Sequence, residues 1–234
     1  MRMLKEMIMG KLNRGLKKIG IASISLLVLC LMAVLVAFGI LKIRTICIST
    51  DFSSVYENEK YRSPVSISRI VMVKQEISCG YAVIEMFAKW NGNTDITEQA
   101  LYGEYGKIVT STGNAFEKEM NRQFPEYTTT MHKYLKNEEL IDRVYESLAS
   151  GFPVPFEWAA LFGDEWTLHY SLITGLDVLN DLVTIMNPYG YIEEITLQEF
   201  LNRTSFEAYK KMPLFLELGF AFGIFEKNTV FVVE

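Results

Sequence analysis

Histidine and cysteine are scarce in this chain, with two and three copies among 234 residues. Three cysteines cannot build a disulfide framework, and no His and Cys cluster at zinc spacing, so no metal is expected. Beyond residue 45 there is no dense run of Lys and Arg, and the net charge is −5. That excludes the basic stripe of a general nucleic-acid binder. No glycine-rich phosphate loop, internal repeat or low-complexity tract is present, and no cofactor is implied.

What the chain does have is apolar substance: 50% of residues are hydrophobic and 13% aromatic, which rules out a disordered polymer. From Ile19 to Leu41 no residue is charged, a run of 23. About 20 apolar residues suffice to cross a bilayer, and a soluble core helix of this length would show a polar face. Residues 19–41 are therefore expected to span a membrane, with the lipid bilayer as partner.

Arg2, Lys5, Lys11, Arg14, Lys17 and Lys18 precede the run, while only Lys42 and Arg44 follow closely. This asymmetry predicts a cytoplasmic segment 1–18 and a domain outside. A cleaved signal peptide would have a shorter apolar core and small residues at its cleavage point, which Gly39-Ile-Leu-Lys42 does not provide. Residues 42–70 are polar and Ser-rich and read as a tether; residues 71–234 read as one domain.

Within that domain the first half is helical in pattern. Cys79–Trp90 carries apolar residues at 83, 86, 87 and 90, with Asn91-Gly92 as a stop. Asp95-x-x-Glu98 resembles a capping box for a helix to about Tyr102, and Asn114–Phe124 and Glu138–Leu148 give two more. The second half is β-branched and aromatic: strands are expected at Pro153–Trp158, Leu168–Thr174, Leu182–Met186 and Val230–Val233. One short helix, Thr196–Leu201, opens on its own capping box with Glu199. Helices followed by an antiparallel sheet make an α+β domain.

Three residues carry chemistry. Cys79 stands at a helix start, where unpaired N–H groups and the dipole lower a thiol pKa; as a bare cysteine it is equally a small buried hydrophobe or a partner for Cys47. His169 opens an apolar strand, as hydrogen-bonded structure or as a base. His132 has no partner pattern and reads as a surface or loop residue. Asn187, in Asn187-Pro-Tyr-Gly190, ends the next strand, and a hairpin turning at Asp177–Asp181 would bring it beside His169.

Gln75-Glu-Ile-Ser-Cys79-Gly80, His169-Tyr-Ser-Leu-Ile-Thr-Gly175-Leu-Asp177, Ile185-Met-Asn187-Pro-Tyr-Gly190 and Thr196-x-x-Glu199-Phe200 stand in the order of a known family. Residues 70–234 resemble the papain-like bacteriocin-processing peptidases and their stand-alone relatives. The resemblance implies a papain-like fold, a peptide or protein substrate, and thiol catalysis by Cys79 as nucleophile, His169 as base and Asn187 in the place usually held by Asp. It also implies an oxyanion donor five or six residues before the cysteine; Gln75 is four before, which departs from the pattern, as does Tyr81 after the Cys-Gly pair. An inactive binding domain and an acyl or peptidyl transferase built on the same thioester are the alternatives.

Overall fold

The computed structural model describes residues 22–39, 52–206 and 212–234. The expectations for residues 1–21 and 40–51, Cys47 among them, lie outside the described residues. Helix α1, Ala22–Gly39, is long and apolar enough to cross a membrane and none of it is buried by protein. Its 18 residues rise about 27 Å. A signal sequence near an N-terminus would have the same character, so α1 by itself fixes neither cleavage nor orientation.

The second compact unit starts near Arg44. The polar stretch expected to be tether through residue 70 is in its later part folded into the domain. Helix α2 (Ser53–Tyr56), a 3-10 turn (Glu59–Tyr61) and strand β1 (Val65–Ser66) follow one another there. Val55 and Tyr61 are fully buried against Leu140, Ile141 and Val144. Two apolar side chains in a Ser-rich context gave too weak a periodic signal to reveal this. No strand forms at Val71–Val73, which is an extended lead-in.

The helices are α3 (Cys79–Trp90), α4 (Glu98–Tyr105), α5 (Gly113–Gln123), α6 (Asn137–Ala149), α7 (Leu197–Ser205) and α8 (Leu214–Ala221). Their starts follow capping chemistry: Ser78, Thr97, Thr112 and Thr196 each accept an N–H from the first turn. The capping box expected at Asp95 does not form: Thr97, two residues on, caps the helix by accepting the Ala100 N–H, and Glu98 is engaged elsewhere.

Strands β2 (Thr129–His132), β3 (Val154–Phe162), β4 (Glu165–Asp177), β5 (Leu182–Asn187), β6 (Tyr191–Ile195) and β7 (Thr229–Val233) form one antiparallel sheet in the order β2-β7-β3-β4-β5-β6, and β1 pairs with β4. His132 is therefore a strand residue, half-buried, rather than a loop one. The β3–β4 hairpin runs on to Phe162 and Glu165, so His169 lies inside a 13-residue strand rather than at its start. The outer arm carries no clear strand signal, because Glu165-Trp166-Thr167 follows the Gly163-Asp164 turn and projects past the core.

Two cores flank the sheet. Leu140, Ile141 and Val144 of α6 and Leu197, Phe200 and Leu201 of α7 pack with Phe156, Trp158, Ile173 and Ile185. The apolar side of α3, with Phe116 and Met120 of α5, packs with Tyr170, Leu172, Phe231 and Val233. Helix α3 is buried nearly all round, which is why its apolar stripe is broad.

Candidate active site

Cys79 is the first residue of α3, part-exposed, and its thiol is free. Gly80 behind it is required by a neighbour rather than by substrate: a Cβ there would fall 2.4 Å from Thr110 Oγ1. The sulfur faces the backbone N–H groups of Tyr170, Gly80 and Cys79 itself, which favour the thiolate as a helix start should. Burial outweighs them. The thiol is pushed up to about 11, against the expectation that the helix start alone would lower it.

The loop before Cys79 is held by a residue that the sequence offers only as part of a helix cap. The buried Glu98 carboxylate accepts N–H groups from Ile77 at 2.6 Å, Ser78 at 3.2 Å and Glu76 at 3.2 Å. Burial pushes this carboxyl up more than those N–H groups pull it down. Behind it, Glu85 accepts the Glu98 N–H at 2.8 Å and pairs with Lys89 at 2.6 Å. Glu98→Gln replaces one acceptor oxygen with an NH2 facing donors. At a temperature where both proteins are folded, the rate at which a thiol-directed electrophile labels Cys79 should fall about tenfold, equivalent to ~1.4 kcal/mol. Intact mass against time checks this; an unaltered labelling rate would remove Glu98 from the positioning of Cys79.

His169 and Asn187 meet because of a bulge. Leu172 faces Met186 while Gly175 faces Thr184, so Thr174 is an extra residue in β4. Continued, the first register sets Asn187 opposite Ser171, on the side that His169 shares. In the register beyond the bulge Asn187 would face Leu172 and point the other way. His169 Nε2 and Asn187 Oδ1 are 3.0 Å apart and both residues are buried.

The amide is oriented from behind. Asn187 Nδ2 donates to Glu193 Oε2 at 2.9 Å and to Tyr191 Oη at 3.3 Å. A carboxylate only accepts, so Nδ2 points to Glu193 and Oδ1 to the imidazole, where it also accepts the Tyr189 N–H at 3.0 Å. Nε2 of His169 must then carry the proton, and Nδ1 is left as the basic nitrogen. Glu193 in turn pairs with Arg203 Nη1, whose Nε donates to the Ala159 carbonyl at 2.8 Å and whose guanidinium covers Trp158 at 3.5 Å. Burial, with the Arg203 charge adding to it against the Asn187 hydrogen bond, pushes the imidazole down to about 4.

Tyr189 stacks on His169 at 4.2 Å, and exposed Phe162 tilts against Tyr189 at 5.6 Å, an apolar shelf beside the histidine. The Asn187–Gly190 turn closes with the Gly190 N–H on the Asn187 carbonyl at 2.9 Å, Gly190 adopting φ +99°. Gln75 is tied to the same turn, its N–H donating to the Pro188 carbonyl at 2.7 Å. Its side-chain Oε1 is buried without a hydrogen-bond partner. Among the described residues no hydrogen bond joins the Cys79 thiol to His169; both groups are neutral at rest. The roles of Glu98, Glu193 and Arg203 here are not legible in the sequence, because only the β5–β6 register and the packing of α7 and α4 bring them to the site, whereas Tyr189 is placed by the Asn187–Gly190 turn itself.

The Peptidase_C39 like family matches residues 67–213, and by that match the chain belongs to this family of cysteine-peptidase relatives. No curated protein matches the chain. Mixed helices and an antiparallel sheet fit the papain-like fold that the family implies.

Proposed function

We propose that this member of the Peptidase_C39 like family is a membrane-anchored thiol peptidase, in which Cys79 is the nucleophile, His169 the base and Asn187 its orienting partner. The observation that carries the reading is the run of hydrogen bonds from His169 Nε2 to Asn187 Oδ1 and from Asn187 Nδ2 to Glu193, which leaves His169 Nδ1 as an unprotonated base. Residues 19–41 are the anchor, with residues 1–18 cytoplasmic and the catalytic domain extracytoplasmic. The connection from the anchor ends near residue 52, and the domain runs from there to Glu234.

With a thiol at about 11 and an imidazole at about 4, the resting pair is uncharged. Attack is then general-base catalysed: Nδ1 takes the S–H proton as sulfur bonds the peptide carbonyl carbon. The Cys79 N–H and the Gln75 amide receive the oxyanion. His169 returns the proton to the leaving amine, and the thioester remains. Water, deprotonated by His169, cleaves the thioester to a carboxylic acid and restores the thiol. The shelf of Phe162 and Tyr189 favours an apolar substrate side chain next to the scissile bond.

A second reading, a binding domain with an idle site, draws on the missing Cys79–His169 hydrogen bond and the raised thiol. Covalent trapping separates the two. The full chain in detergent is treated with a peptidyl vinyl sulfone and followed by intact mass. Labelling at Cys79 is expected, absent in Cys79→Ser and slowed at least about 100-fold in His169→Ala. Its rate should stay level over the neutral range and fall toward pH 4, where His169 becomes protonated and cannot accept the thiol proton. Equal labelling of wild type and His169→Ala would leave the binding domain as the better account.

A further inference from the structure

Helix α8 is apolar on two sides, and the domain covers only one. Leu216 and Phe220 are buried at 3% and 4%, with the Phe220 ring against Phe206 at 4.6 Å. The Phe225 ring lies over Gly219, where a Cβ would meet it at 2.3 Å. On the outer side Leu214 is 68% exposed, Phe215 65%, Leu218 38% and Phe222 54%, and Ile224 just beyond is 54% exposed. At 100° per residue the first four fall within an arc of about 100°, a continuous apolar stripe. Glu217, exposed, is the only acid from Leu214 to Phe225, and Lys210 and Lys211 stand just before the helix in sequence.

A helix apolar all round belongs in a core or in lipid, and an exposed patch of large apolar side chains marks a surface that something covers. We infer that the outer face of α8 docks on the lipid bilayer, an inference that rests on the anchor reading of residues 19–41. The chain itself supplies the occupant. Residues 40–51 connect the end of α1 to Phe52, and even fully extended they span only about 40 Å. A bilayer crossed by α1 is thus always within reach of the domain. The composition is that of an interfacial helix: large apolar residues on one arc, with lysines adjacent to meet anionic headgroups. Docking would restrict the peptidase to substrates presented close to the membrane.

The test uses the full chain with a site-specific protease sequence inserted after Ser49, reconstituted in phosphatidylethanolamine–phosphatidylglycerol vesicles and analysed by flotation before and after cutting. Uncut protein should float with the vesicles; if it stays in solution, the anchor reading fails and the inference with it. After cutting, the released domain should still float in high salt, and Leu214→Glu/Phe215→Glu should lower the bound fraction at least about tenfold. Because both side chains are mostly exposed, the thermal transition of the variant should stay within about 2 °C of wild type. Release of the wild-type domain on cutting, or undiminished binding of the variant, overturns the docking while leaving the anchor in place. A released domain that forms a dimer lost in the variant would assign the face to a second copy and overturn it as well.

Discussion

Asn187→Asp should damage this protein rather than improve it, although Asp is the residue that the family resemblance implies for that place. In the structure the Asn187 amide donates to the Glu193 carboxylate at 2.9 Å in a buried site. An aspartate there would set two carboxylates against each other, and one of them must take up a proton or the contact must open. Arg203 already serves Glu193 and answers only one of the two charges. Exposing an uncompensated buried charge costs on the order of 3 kcal/mol. The single variant is therefore expected to lose about that much in chemical denaturation at neutral pH, and to recover part of it as pH falls and the pair shares a proton. Hydrolysis should drop on the order of 100-fold, because repulsion from Glu193 displaces the side chain at 187 from His169 Nε2.

Asn187→Asp/Glu193→Gln is the decisive companion. A glutamine at 193 can donate its amide to the new aspartate, which restores both the orientation and the charge balance with Arg203. The double variant should regain most of the stability and the activity, giving a coupling energy of at least about 1.5 kcal/mol in the double-mutant cycle. Additive losses would mean that Glu193 does not orient residue 187, and the assignment of the His169 tautomer would lose its support.

Glu157→Gln should stabilise the protein, most at alkaline pH. Glu157 sits on β3 opposite Tyr170 and Thr229, 1% exposed, with Oε2 lacking a partner. Burial pushes its carboxyl from 4.5 up to about 8; the Tyr170 hydroxyl pulls it down, Glu226 raises it further and Lys133 lowers it. Between pH 4.5 and 8 the folded state thus holds a proton that the unfolded chain has released. Stability from this group is intact below the lower value and falls as pH rises through the window. The displacement is worth on the order of 3–5 kcal/mol above pH 8. The uncharged Glu157→Gln variant should lose that dependence, so its denaturation midpoint should exceed wild type increasingly from pH 6 to 9. Parallel pH profiles for the two proteins would show that the carboxylate ionises in the folded state at no cost.

The same substitution reaches the site. The Glu157 charge is among the influences that raise the Cys79 thiol, so its removal should bring thiol ionisation to lower pH at the alkaline end. The vinyl sulfone labelling profile provides that readout without reference to stability.

Much of this molecule was legible in one dimension. The uncharged run that becomes α1, the stripe of α3 ending at Asn91-Gly92 and the threonine cap of α7 are local properties, dictated by hydrophobic periodicity and by which side chain can accept an orphan N–H. The order of the Cys79, His169 and Asn187 motifs sufficed to indicate the family. Other features depend on residues distant in sequence. The fold absorbs Val55 and Tyr61 because α6 offers them a core, and His132 becomes a strand residue because β7 pairs beside it. One inserted residue, Thr174, shifts the β4–β5 register and so turns Asn187 to the side of His169. Orientation of the amide depends on Glu193 and Arg203, and the loop before Cys79 on Glu98, none of which local spacing connects. Protonation was the least legible of all. The helix start at Cys79 does favour the thiolate, as the sequence implies, but only the three-dimensional packing reveals that desolvation exceeds it and pushes the thiol up and the His169 imidazole down.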